Sequence, residues 1–93
     1  MAKAIVTIKL MPDGPDANME EMQQAAEARI NTFVQEDGEK RFTVKPIAFG
    51  LKALEIIFVM DEKLGSTEPL ETDLGTIPGV GGVEVIDVRR AIG

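Results

Sequence analysis

The side chains best equipped for chemistry in this sequence are its sixteen carboxylates, since no histidine and no cysteine accompany them. Without histidine, the commonest general base and the commonest metal ligand are missing. Without cysteine, disulfides, thiol catalysis and thiolate metal sites are excluded. Glycosidase-type chemistry needs a positioned pair of carboxylates, but these acids fall mostly on expected solvated helix faces and in loops, where they serve solubility. A nucleophilic Ser or Thr would need a lysine as its base, and no motif sets the two side by side. The cluster Pro78-Gly79-Val80-Gly81-Gly82 lacks both the Lys-Ser/Thr ending and the following helix of a phosphate loop, so a close turn is its expected role. The chain is expected to be no ordinary enzyme and to need no cofactor and no metal.

What the sequence offers instead is a binding residue. Phe49 stands next to Gly50 at the end of Pro46-Ile47-Ala48-Phe49-Gly50. Pro46 cannot donate to a strand ladder and Gly50 tolerates backbone angles that other residues avoid, so the chain reverses here. Turn tips are normally polar. A ring at this place either folds back over Leu51 or Phe42, or is offered to a partner.

The elements that hold this turn are legible from periodicity. In residues 2–11, Ala4, Val6, Ile8 and Leu10 alternate with Lys3, Ile5, Thr7 and Lys9, which predicts a strand with a defined core face. Pro12-Asp13-Gly14-Pro15-Asp16 is a loop by composition. A helix is expected over residues 18–35, capped by Asp16 or Asn18, with Glu20 and Glu21 in its first turn. Its buried stripe comprises Met19, Met22, Ala26, Arg29 or Ile30, Phe33 and Val34. Asp37-Gly38 ends it, the glycine being available for a left-handed cap. Residues 40–45 form a short strand with Phe42 and Val44 inward. The run 54–60, apolar except for Glu55, reads as a central strand buried on both faces. After a loop over residues 61–65, a second helix over residues 68–76 carries Leu70, Leu74 and Ile77. A last strand covers residues 83–91, where the adjacent pair Val85-Ile86 calls for a bulge.

Strand, helix, strand, strand, helix, strand is thus the order. Two strand–helix–strand units with right-handed crossovers, joined by a hairpin, give one compact α+β solution. It is the ferredoxin-like sandwich, a four-stranded antiparallel sheet of order 4-1-3-2 with both helices on one face. The open face then carries Ile5, Thr7, Thr43, Lys45, Ile57 and Val59. The hairpin lies at one end of the sheet and Arg89 and Arg90 at the other. With 93 residues the chain is expected to be a single domain. A net charge of −6 and four phenylalanines without Trp or Tyr argue against direct nucleic-acid binding. Nothing approaches a membrane span or a signal peptide, so a cytoplasmic protein without membrane contact is expected. The fold alone also admits an RNA- or ribosome-binding domain or a small-molecule regulatory domain.

One resemblance is more specific. The run Ile5-Val6-Thr7-Ile8-Lys9-Leu10-Met11-Pro12-Asp13, then Met19-Glu20-Glu21-Met22, then Lys45-Pro46-Ile47-Ala48-Phe49-Gly50-Leu51-Lys52-Ala53-Leu54, and finally Asp87-Val88, resembles the guanine-exchange domain of translation elongation factor one-beta. The hairpin pattern is its most specific part, and the matches span essentially the whole chain. Starting directly at the first strand, the chain resembles the short archaeal form. The resemblance implies a guanine nucleotide exchange factor without covalent chemistry, which binds the GDP form of the GTPase elongation factor one-alpha and promotes its exchange for GTP. It places Phe49 as the inserted side chain, with Pro46 and Gly50 shaping the hairpin, Ala48 beside the ring among the partner-binding residues, and Lys52 as the first lysine of the family's pair. The second of that pair is Ala53 here. The penultimate lysine of eukaryotic members is absent from Arg90-Ala91-Ile92-Gly93, which leaves Arg89 and Arg90 as candidate substitutes.

Overall fold

The structure, a computed structural model, describes residues 3–35 and 39–91. Strand β1 (Lys3–Pro12) leads into helix α1 (Met19–Val34). The hairpin of β2 (Lys40–Pro46) and β3 (Lys52–Asp61) follows, then helix α2 (Glu68–Leu74) and strand β4 (Val80–Ala91). Short 3-10 turns occupy Ala48–Gly50 and Glu62–Leu64. All strand pairs are antiparallel, and the spatial order is β2-β3-β1-β4, the expected order seen from the other edge. The architecture is the ferredoxin-like one.

Period-2 alternation decides what each central strand buries. Ala4, Val6, Ile8 and Leu10 of β1 and Leu54, Ile56, Phe58 and Met60 of β3 are buried together with Met22, Ala26 and Ile30 of α1 and Leu70, Leu74 and Ile77. Both helices therefore cover one sheet face, and each large aliphatic side chain removed from water there contributes about 1.5–3 kcal/mol. The run 54–60 is central but not buried on both faces: Glu55, Ile57 and Val59 stay half-exposed, because no layer covers the second side. By register, Ile5 and Thr7 share that open face with Val59 and Ile57, and Thr43 and Lys45 join them from β2.

Helix α1 starts where its cap allows. The Asn18 side chain accepts from the Glu21 N–H at 3.1 Å, with Glu20 and Glu21 in the first turn. At the other end Gln35 itself takes the left-handed conformation, φ 62°, and its N–H bonds Asn31 O at 2.9 Å. Asp37 and Gly38, expected to supply that cap, lie outside the described residues. Arg29 ties the two helices together: its guanidinium bonds the Asp73 carboxylate, Asp73 O at 3.0 Å and Thr76 Oγ1 at 2.9 Å.

Three further expectations are corrected. Val44 faces the helix side, opposite buried Leu54, yet is 44% exposed because the helices do not extend over this part of edge strand β2. The second helix stops at Leu74 rather than Thr76. Strand β4 begins at Val80, so Gly81 and Gly82 lie inside the sheet, Gly82 paired with Met11. The expected bulge is present. Thr7 pairs with Asp87 and Ile8 with Val85, which leaves Ile86 as the extra residue.

Glycine at position 81 has a packing reason. A Cβ there would sit 2.9 Å from Asp13 Cα and from Pro12 O, both backbone atoms, whereas at Gly82 it would meet only Met11 side-chain atoms at 3.7 and 3.9 Å. Gly81→Ala is expected to lower unfolding free energy by about 1–3 kcal/mol, and Gly82→Ala to leave it unchanged or raised. Urea unfolding of the two variants checks this, and equal midpoints would contradict it.

Candidate functional site

The hairpin tip is built to expose one ring. The ladder between β2 and β3 ends at the pair Pro46 and Lys52. Ile47 N–H then donates to Leu51 O at 2.8 Å, and Leu51 N–H to Ala48 O at 3.3 Å, which closes the loop on itself. Inside it Phe49 has φ 64° and ψ 29°, and Gly50 has φ 74°. Glycine adopts this left-handed region freely. For a bulky L-residue it costs roughly 1–2 kcal/mol. Phe49 is nonetheless 96% exposed, so no burial offsets that cost in the free protein. The alternative of a ring folded back as a lid is excluded. Phe42, by contrast, packs against the core cluster.

The surroundings come from a loop distant in sequence. A small cleft of about 250 Å³ lies beside the hairpin base, lined by Pro12, Gly14, Pro15, Met19, Gly50 and Lys52. The β1–α1 loop is pinned there by Asp13 N–H donating to Gly79 O at 2.9 Å. Lys52 and Ala48 are both exposed, and among the described residues Lys52 joins no ion pair. Pro46, Ala48, Phe49, Gly50 and Lys52 are therefore brought together. The sequence reading missed Pro12, Gly14, Pro15 and Met19 as their neighbours. The available signal was topological: β1 must end at the same end of the sheet as the hairpin.

Arg89 and Arg90 are elsewhere. They pair with Ile5 and Ala4, seven and eight strand positions from Pro12, or about 23–27 Å. Being consecutive on edge strand β4, they point to opposite sheet faces. Arg89 Nε meets Asp87 Oδ2 at 2.7 Å. Arg90 donates from Nε to Glu62 Oε1 at 2.7 Å and from Nη2 to Oε2 at 3.4 Å. That hydrogen bond, and then the carboxylate's charge, raise the Arg90 pKa further above its ordinary value. Both guanidinium groups remain largely exposed. Ile92 and Gly93 lie outside the described residues. The seven candidate residues thus form two groups at opposite poles of a molecule 42 Å long.

Among the described residues no three Asp or Glu side chains converge into a metal site, and no helix is long and apolar enough to cross a membrane. The arrangement presents an exposed aromatic on a strained tip, a cation beside it, and a pair of arginines far away.

A family profile described as the EF-1 guanine nucleotide exchange domain matches residues 5–91. Elongation factor 1-beta of Methanothermobacter thermautotrophicus is 38% identical over 97% of this chain and 98% of its own length. Elongation factor 1-beta of Staphylothermus marinus is 40% identical, again over 97% and 98%. Among solved structures, the apo C-terminal domain of a cyclometallase involved in synthesis of the NPN cofactor of lactate racemase superposes with a TM-score of 0.62. At 15% identity, over 99% of this chain and 58% of that one, it shares the fold alone. The match over nearly the whole chain, on the fold and hairpin described above, shows that this chain belongs to the EF-1 guanine nucleotide exchange domain family.

Proposed function

We propose that the chain, acting as one domain in the cytoplasm, binds the GDP form of elongation factor one-alpha and speeds GDP release so that GTP can enter. The observation that carries this reading is Phe49, fully exposed on a left-handed backbone that disfavours it. Strain of this kind persists where function retains it. In the complex the ring enters the nucleotide domain of the GTPase, and the burial denied to it in the free protein is recovered. Gly50, Ala48 and Pro46 hold the tip, and Lys52 contributes a charge at its base. A thousandfold faster release needs only ~4 kcal/mol of differential stabilisation of the open state. One well-buried aromatic hot spot supplies much of that.

Truncation separates anchor from core. Phe49→Ala is expected to slow stimulated release of fluorescent GDP by roughly 30- to 1000-fold, the equivalent of ~2–4 kcal/mol. The melting temperature of the free domain should barely move. Phe49→Gly, which also removes the left-handed penalty, should be at least as stable as the parent and equally poor in exchange. Normal exchange by a destabilised Phe49→Ala variant would overturn the assignment.

The arginine pole is the second proposed contact. Neutralising Arg89 or Arg90, each in an exposed ion pair of the kind that adds little to stability, is expected to leave folding nearly intact. If Arg90 or Arg89 replaces the absent lysine, its change to Gln slows GDP release. Unchanged exchange by the double variant Arg89→Gln/Arg90→Gln would confine the activity to the hairpin pole.

A further inference from the structure

The acidic balance of this chain is unevenly spread. From Lys40 to Leu54 there are four basic residues, Lys40, Arg41, Lys45 and Lys52, and no acid, so the remaining six basic residues share the chain with all sixteen acids. This basic stretch is the hairpin itself, from edge strand β2 through Phe49 into β3. Its cations lie on both sides of the edge. Arg41 and Lys45 stand on the open face opposite Ile57 and Ala53, and Lys52 stands in the cleft toward α1. Lys45 is shared with Glu55 at 3.2 Å. Arg41 is exposed and, among the described residues, joins no ion pair. Beside it the open face dips into a shallow concavity of about 450 Å³ lined by Ile5, Ile57 and Val59 together with Lys40, Arg41 and one acid, Glu39, which directly precedes the basic stretch.

We infer that this basic hairpin edge is a docking strip for an acidic surface of the partner, continuous with the Phe49 anchor, and that Arg41 is the uncompensated charge of its open face, as Lys52 is on the helix side. The inference rests on the exchange-factor reading and adds to it the chemistry of edge strand β2, which runs from Arg41 up to the Phe49 tip. An acidic protein surface is favoured over nucleic acid for two reasons. No aromatic side chain stands on the open face for bases to stack on, since Phe42 and Phe58 face the helices. The acids elsewhere on the chain would also repel a phosphate backbone. Cations on an edge strand also discourage edge-to-edge pairing, but that role is insensitive to the sign of the charge. Docking on an acidic surface is not. Complementary charge of this kind raises association rates and fixes orientation, and salt screens it.

The test is GDP release from the GTPase at low and high salt, with Arg41→Glu and Lys63→Glu as variants of equal charge change at different places. Lys63→Glu lies in the turn at the far end of β3. Arg41→Glu is expected to lower kcat/KM about tenfold at ~50 mM salt, through KM, with the gap closing near ~500 mM. Lys63→Glu should lose less than threefold, and Arg41→Gln should fall between. Equal effects of Arg41→Glu and Lys63→Glu, or none from either, overturn the docking strip and leave the exchange reading standing. Arg41-dependent binding of a 15-nucleotide oligouridine with exchange unaffected, or an Arg41-dependent dimer in sedimentation, overturns it in favour of nucleic acid or a second copy. A wild-type chain that does not accelerate GDP release at either salt removes the exchange reading and this inference with it.

Discussion

Strand β1 has a partner on each side, and both partners come from the other half of the chain: Lys3 to Leu10 face Asp61 to Leu54 of β3, while Lys3 to Pro12 face Ala91 to Val80 of β4. Among the described residues β4 bonds to no other strand. The inward side chains of β1, Val6, Ile8 and Leu10, are fully buried against both helices. Removing any one would leave a cavity costing about 2–5 kcal/mol. This pairing also fixes where the candidate site residues lie. Because β1 runs the length of the sheet, its end at Pro12 shares a pole with the hairpin, and its start at Lys3 shares the other with Arg89 and Arg90. A single antiparallel insertion thereby separates the two groups by most of the molecule's length.

Rigid support below and strain above go together. The hairpin leaves the sheet between two paired strands and closes on its own backbone hydrogen bonds, so its tip is held without help from the ring. The ring is then left free for the proposed contact with a partner. A residue that contributes nothing to the free fold, on a backbone it disfavours, is what the usual trade between stability and activity leaves at a binding site.

The legible parts of the sequence were those governed by short-range pattern. Alternation in Ala4-Ile5-Val6-Thr7-Ile8 announced β1, Asn18 with Glu20 and Glu21 announced the start of α1, and adjacent Val85 and Ile86 announced a bulge. Phe49 was legible because an apolar residue beside a turn glycine breaks the local rule. The rest was decided by tertiary neighbours. Gly81 reads as turn, yet it is a strand glycine because Asp13 approaches too closely for a Cβ. Val44 alternates inward, yet the extent of helix cover leaves it exposed. The Arg90–Glu62 pair spans 28 positions, and no local pattern encodes it. The cleft at the hairpin base, against Gly50 and Lys52, depends on a loop more than thirty residues away, which only the assembled sheet brings near.

The central claim is that Phe49 is solvated in the free protein and buried in the complex. The chain has four phenylalanines, of which Phe58 is buried and Phe33 and Phe42 are half-buried, so replacing them with 4-fluorophenylalanine yields four fluorine resonances. In the free domain the Phe49 resonance should show the full solvent isotope shift between water and deuterium oxide. On addition of the GDP-bound GTPase that resonance should move and lose the isotope shift, while the Phe58 resonance keeps its position. A Phe49 resonance that stays solvent-sensitive in a complex that is exchanging GDP would contradict the account.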